Sequence, residues 1–571
     1  MSYFDFEFFL FFLFLLILSS YFLGKYIYYV FQADFLFKKS LFGKLENTIF
    51  RFCKIDPKEN MSWKKYSLVL VFFNVFLFFI TFIILKSQEN LPLNFLQAKN
   101  MSTELAVNTA ISFVTNTNWQ AYSAETEVSY LTQMLGLTPL NFLSAATGIA
   151  ACVAILRGFT QFQLKGIGNF WYDLFKTVFY ILLPISFIFA VFYISQGVIQ
   201  NFLPPQEFIT LEGIKQIIPQ GPAASQVAIT LLGTNGGGFF NANMAHPYLN
   251  PNALTNFVQI LSIILIPSSL VFTFGKMSKN MKHAWTIWIT MFIFFAVLTF
   301  IFNFLERSGN PLLFNSISNL NWEGKETRFG LFGSTLFSIV TTITSCGAVN
   351  SALSSLSPLA GGIALFNMLL GEIIFGGVGS GLYGMLLLIV ITIFLSGLMI
   401  GRTPEYLGKK IDAKIIRIAT IPIVGISIVL LISVSISLTS EVAKSAIGNP
   451  GVHGFTEIFY AITSTIQNNG SSFGSLNANT TYWNYLTSIL MLIGRYLSVI
   501  PVLAIAGILI QSKKKENNLN PFPIVGGIFI ILLSATILIV GALTYLPAFA
   551  LGPVLEHLQI ISHSNLIHGV K

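Results

Sequence analysis

Four short polar clusters interrupt an otherwise apolar chain: "TNTNWQ" (115–120), "GTNGGG" (233–238), "TSCGAV" (344–349) and "QNNGSS" (467–472). Each combines amide or hydroxyl side chains with a residue suited to unusual backbone geometry. With Asn118, Gly236, Gly347 and Gly470 set equivalent, the spacings are 118, 111 and 123 residues. A recurrence of this kind is an internal repeat and outranks any single motif. The chemistry open to such clusters is the binding of a dehydrated monovalent cation, because backbone carbonyls replace its water without adding charge. A chain that turns its carbonyls inward needs dihedrals that glycine tolerates, and asparagine is the mildest substitute. The competing reading of 236–238 is a phosphate loop. It lacks the Lys-Ser/Thr pair of GxxxxGK[ST], and GxGxxG would need a βαβ unit where this chain offers helices only.

The elements that must position these clusters are membrane helices. The chain has 571 residues, 54% hydrophobic and 10% charged, against about 25% charged in soluble domains. Mean hydropathy is +0.73. The 57 Phe fit lipid-facing helices and carry no chemistry by themselves. Asp5 and Glu7 precede the first apolar run and no basic residue does, so it reads as a retained helix and not a cleaved signal. Eleven apolar windows follow the span criterion of about 20 residues, from 8–23 to 524–546.

Charge sidedness tests that number. The loops 25–65, 157–176, 275–283, 401–417 and 511–517 hold 23 of the 32 Lys and Arg. The positive-inside rule places all five in the cytoplasm. This works only if windows 356–375 and 382–400 make a single crossing. Their junction, "GEIIFGGVGSGLYG", is glycine-rich, and a break at membrane depth is tolerated where it lines a cavity. The expectation is an all-α integral membrane protein with ten transmembrane helices and both termini outside. It consists of a first helix (1–24), a basic loop (25–65) and four pseudo-repeats of helix, pore loop and helix. The repeats cover 66–157, 158–275, 276–400 (with a broken second helix) and 401–511. A final helix and external tail follow at 512–571. Short helices whose C-termini point inward would aim the negative ends of their dipoles at the ion.

Little else in the sequence points to chemistry. Cys53, Cys152 and Cys346 are scattered and suggest neither disulfides nor zinc. The six histidines form no HExxH pattern, and the three near the C-terminus read as solvated.

The strings "GTNGGGFFNANMAHPYLNPN", "TTITSCGAVNSALSSLSPLAGG", "GEIIFGGVGSGLYGML", "GRTPEYLGKKI" and "STIQNNGSSFGSLNANT" resemble the potassium-binding subunit of the bacterial Kdp potassium-transporting ATPase. The resemblance runs over nearly the whole chain and is weakest in the first helix and in 25–65. It implies a K⁺ filter made of Asn116, Thr117, Asn118, Thr234, Asn235, Gly236, Ser345, Cys346, Gly347, Asn468, Asn469 and Gly470. It adds Asn243 at the outer mouth, where Gln120 either orients water or is ordinary solvated surface. K⁺ is the transported ion, with no organic cofactor. The implied partners are a P-type ATPase catalytic subunit, a single-span accessory subunit and a small lipid-like peptide subunit, with membrane lipid around them and no nucleic acid. The implied location is the bacterial inner membrane. ATP hydrolysis would belong to the partner. This chain has no DKTGT-like sequence, and its longest cytoplasmic loop is well short of a nucleotide domain of ~100 residues.

Two charges fall within apolar runs, Arg495 and Glu372, and intramembrane charges are functional by default. One reading makes Arg495 a barrier below the filter and Glu372, with Gly376, Gly377, Gly379 and Gly381, a side exit or gate. The other makes the two charges a neutralising pair between packed helices. Two alternatives to the transport-subunit reading also stand. A stand-alone channel or ion-coupled K⁺ transporter of the same plan would lack the ATPase partner. A membrane-embedded enzyme would need a catalytic constellation beyond the isolated Glu372.

Overall fold

The computed structural model describes residues 3–32, 41–309, 320–513 and 522–568. Parts of two basic loops, 33–40 and 514–517, therefore lie outside the described residues, as does the side chain of His563. Among the described residues nine helices are long and apolar enough to cross a membrane. Two further helices, Gly527–Gly541 and Thr544–Ser562, meet at 51° and make a tenth span if the pair is taken as one. The protein is an all-α, multi-pass membrane protein. The stretch after 546, read from sequence as tail, continues as helix through Leu555–His568. Two short hairpins, Gln206–Ile209 with Lys215–Ile218 and Glu405–Tyr406 with Lys409–Lys410, lie in connections between the spans, in a chain whose sequence offered helices only.

Helix starts follow side-chain capping. Ser102 accepts from Leu105 N, Asp412 from Ile415 N and Thr480 from Trp483 N, each satisfying an amide that the first turn leaves free. Asn252 and Thr255 form a reciprocal capping box. Composition then sorts the spans by depth. The Phe-rich Trp63–Asn90 is 28% buried, whereas the Ala- and Gly-rich Thr132–Thr160 is 83% buried. Small residues let helix backbones approach, so such helices form the inner wall. The first helix, Tyr3–Val30, lies along Ala253–Met277 by the same rule: a Cβ on Gly24 would stand 2.5 Å from the Ser269 carbonyl oxygen.

Between successive spans lie four helices too short to cross: Thr103–Val114, Ala223–Leu232, Gly330–Ile343 and Gly451–Ile466. The third unit has an interrupted second helix, Pro358–Leu369 and then Ser380–Met399. Glu372 therefore sits in the break, at φ 50°.

The five basic loops meet at one end. Lys409 Nζ donates to the Gly158 carbonyl at 2.7 Å and the Leu509 carbonyl at 2.9 Å, closing the C-termini of two spans with one cation. His283 is buried there, with Nε2 2.8 Å from the Tyr406 hydroxyl and Nδ1 2.8 Å from the Ile524 carbonyl. Met61 N donates to Gly168 O at 2.8 Å, and Leu164 N to Ile510 O at 3.2 Å. At the other end Arg307 pairs with Asp5, and Lys325 Nζ lies 2.6 Å from Glu306.

Candidate ion-binding ring

Each short helix ends just before a polar cluster, at Val114, Leu232, Ile343 and Ile466. In three of the four the chain then doubles back on its own helix. Thr117 N and Asn118 N both donate to Ser112 O, at 2.9 and 3.2 Å, and Asn235 N and Gly236 N both donate to Thr230 O, at 2.8 and 3.1 Å. Asn469 N donates to Ser464 O at 2.8 Å, and Gly470 N to Ser464 Oγ at 3.0 Å. In a trans peptide the N–H and C=O point in opposite directions. Tying the amides of Asn118 and Gly470 backwards therefore turns the carbonyls of Thr117 and Asn469 forwards.

Those carbonyls meet the next unit. A Cβ on Gly236 would lie 1.6 Å from the carbonyl oxygen of Cys346, one on Gly347 2.2 Å from that of Asn469, and one on Gly470 1.9 Å from that of Thr117. In every case the carbonyl belongs to the residue just before the neighbour's turning residue. All three glycines have positive φ, between 72° and 96°, so both dihedral and space demand glycine. The fourth junction differs. Asn118, at φ 52°, donates its amide to the Gly236 carbonyl at 3.0 Å and to Asn141 Oδ1 at 2.9 Å. The four clusters thus form a closed, head-to-tail ring.

The remaining expected filter residues knit the ring together. Asn116 Nδ2 donates to Thr234 O at 3.1 Å, and its Oδ1 accepts from Asn235 Nδ2 at 2.6 Å and from Ser144 Oγ at 2.8 Å. Asn468 Nδ2 donates to Thr117 Oγ1 at 2.9 Å. Asn469 Nδ2 donates to the Thr341 and Thr344 carbonyls, at 3.0 and 3.2 Å. Of the twelve residues all but Gly470 are buried.

Gln120 is half-buried and its amide is engaged by the second cluster. Its Oε1 accepts from Gly238 N at 2.8 Å, and its Nε2 donates to Gly238 O at 3.2 Å and to the Tyr122 hydroxyl at 3.0 Å. It is a clamp between the first two clusters. Asn243 Oδ1 faces Val349 N at 3.4 Å, bridging the second and third in the same way. Sequence reasoning missed the hydroxyl residue six positions before each turning residue: Ser112, Thr230, Thr341 and Ser464. Aligning the four clusters one helical turn further back would have exposed it.

The neutralising pair is not formed. Glu372 Oε1 accepts from Asn469 Nδ2 at 2.8 Å and Oε2 from Ser345 Oγ. Arg495 Nη2 donates to the Ser144 carbonyl at 3.1 Å. Neutral donors occupy the carboxylate and a helix carbonyl holds the guanidinium. Both side chains are nonetheless on the wall of one cavity of about 140 Å³, together with Asn116, Ser345 and Asn468 of the ring. From there it follows Gly377 and Ser380 to Ile423 and Tyr545. No group of three metal-ligating side chains occurs among the described residues.

A family model described as the potassium-transporting ATPase A subunit matches residues 10–558. A protein of Nitratidesulfovibrio vulgaris (strain DP4), named potassium-transporting ATPase potassium-binding subunit, is 48% identical over 560 residues, covering 98% of each chain. A protein of the same name from Serratia proteamaculans (strain 568) is 48% identical over 519 residues, covering 90% of this chain and 92% of its own. The crystal structure of the potassium transporter TrkH from Vibrio parahaemolyticus has a like fold, with TM-score 0.51 and 16% identity over 88% of this chain and 98% of that one. With the match running through all four clusters and almost end to end, the chain belongs to the family of potassium-transporting ATPase A subunits.

Proposed function

We propose that this chain is the K⁺-selecting subunit of an ATP-driven import complex in the bacterial inner membrane, with both termini outside. Segments 66–157, 158–275, 276–400 and 401–511 act as four equivalent units around one ion path. External K⁺ sheds its water into the ring, where the carbonyls of Thr117, Cys346 and Asn469 and their neighbours replace it. The head-to-tail contact of Gly236, Gly347 and Gly470 with those carbonyls carries this reading. At those three junctions no side chain fits between the turning residue and the neighbouring carbonyl, which favours backbone oxygen toward the centre.

Arg495 then closes the straight way through, because two unit charges ~4 Å apart interact at ~4 kcal/mol at an effective dielectric near 20. The cavity past Glu372 and Gly377 offers a lateral way out toward the spans carrying Ile423 and Tyr545. A side exit suits a subunit that hands its ion to a membrane partner better than it suits a stand-alone channel. That partner is a P-type ATPase subunit, accompanied by a single-span subunit and a small peptide subunit. ATP is hydrolysed there and not in this chain.

Gly236→Asp tests the ring. It forces a side chain against the Cys346 carbonyl and sets a carboxylate beside the ion. Discrimination between K⁺ and Rb⁺ or Na⁺ in uptake assays should fall while the protein still reaches the membrane. Unchanged ion preference would mean that selection happens elsewhere.

A further inference from the structure

Resting on the reading of the ring as the selecting site, we infer that the Thr234 hydroxyl and the Glu372 carboxylate latch the interrupted segment 370–379 onto the ring, making Thr234 a positioning residue for the side exit. The segment is bent into an unfavourable shape. Gly371, Glu372, Phe375, Gly376 and Gly379 all have positive φ, at 81°, 50°, 65°, 69° and 104°. Non-glycine residues such as Glu372 and Phe375 persist there only when their surroundings over-determine them.

The surroundings that do so are ring residues. Val378 N donates to Thr234 Oγ1 at 3.0 Å. Gly376 N donates to the Ile343 carbonyl at 3.1 Å, at the end of the third short helix. Glu372 accepts from Ser345 of the third cluster and Asn469 of the fourth. Three of the four clusters therefore each hold the segment. On its far side there is no slack, since a Cβ on Gly379 would stand 2.3 Å from the Gly148 carbonyl oxygen.

Thr234 is itself strained, a β-branched residue at φ 47°. Its hydroxyl faces the segment, which leaves its carbonyl for Asn116. The segment cannot leave the cavity wall without releasing Thr234, Ser345 and Asn469, and Asn469 and the neighbour of Ser345, Cys346, carry ring carbonyls. Ring geometry and exit closure thus become one two-state element of the kind that coupling requires.

The test is passive, ATP-independent efflux of radioactive rubidium from vesicles holding the complete complex. Thr234→Val keeps the volume and the β-branch and removes the acceptor, while Thr234→Ser restores it. Thr234→Val should raise the leak by up to about tenfold, the factor that one net hydrogen bond can carry, and Thr234→Ser should match the parent. Glu372→Gln keeps an acceptor for Asn469 but gives up the charge that strengthens both bonds, and should leak as well. A parental leak in Thr234→Val, or an equal leak in Thr234→Ser, overturns the latch. Failure of both Thr234→Val and Glu372→Gln to assemble also counts against it, because a latch serves closure and not folding. Gly236→Asp in the same vesicles separates the two readings. If it alters ion preference while Thr234→Val leaves the leak alone, only the latch fails.

Discussion

The carbonyl oxygen of Cys346 stands 1.6 Å from the place a Cβ on Gly236 would take, although the two residues are 110 positions apart. Both partners of that contact are backbone, so neither can rotate aside. Gly236→Ala is therefore expected to be damaging although it adds one methyl group. Left-handed geometry alone costs a non-glycine residue about 1–2 kcal/mol, and the displaced carbonyl is one of those proposed to replace the ion's water. K⁺ uptake should lose its preference over Rb⁺ and Na⁺. Asn118→Gly, at the junction already built for a side chain, should be the milder change. Competition uptake by the two variants side by side checks this, and equal damage would mean that the fourth junction is not special.

Arg495→Gln should leave the protein abundant and raise passive flux. Arg495 is bonded to the Ser144 carbonyl and not to Glu372, so removing its charge strands no carboxylate. The proposed barrier in the cavity goes, and the shorter glutamine gives up the bond to Ser144 but leaves a neutral polar side chain in its place. Measuring variant abundance and rubidium leak in the same vesicles decides the matter. Normal abundance with no added leak would refute the barrier role.

Much of this arrangement is legible in the chain because it is repeated. Asn118, Gly236, Gly347 and Gly470 recur at similar spacing, and all four stand at junctions of the ring. The Lys and Arg skew assigns five loops to one end, and Lys409 joins two spans there. Side-chain partners across units are not legible in this way. Glu372 could be read as pairing with Arg495 because both are charged and apolar-flanked. Its actual partners, Ser345 and Asn469, are selected by how the break folds. Gln120 could be read as orienting water or as solvated surface, because nothing in the sequence announces that Gly238 will present both its amide and its carbonyl to it. The helix at Leu555–His568 escaped notice because its polar residues mask the periodicity that marks the spans.

Sidedness can be measured with the native thiols. Cys152 and Cys346 are buried, and Cys53, in the basic loop 25–65, is exposed. An impermeant maleimide should label the unmodified chain at Cys53 from the cytoplasmic face only. Inverted vesicles should react and right-side-out vesicles should not. Labelling from outside would reverse the topology and put the ring on the wrong side for import.

A pH dependence should arise at the end away from the basic loops. His453 lies near the start of the short helix Gly451–Ile466, outside the spans, with Nδ1 2.9 Å from Glu556 Oε1 and Nε2 2.9 Å from Ser354 Oγ. Burial disfavours the charged ring, but the Glu556 carboxylate, helped by Glu457, outweighs it and raises the His453 pKa above its ordinary 6.5. A pKa raised by folding contributes stability that is complete below the unfolded value. That contribution disappears as pH climbs through the folded value. The docking of the C-terminal helix onto the fourth unit should therefore weaken as pH rises from below to well above the ordinary 6.5. Limited proteolysis of the C-terminal helix across that range reads the effect directly. His453→Gln should flatten the profile, keeping a hydrogen bond but no titrating charge. An unchanged slope in that variant would show that another group titrates.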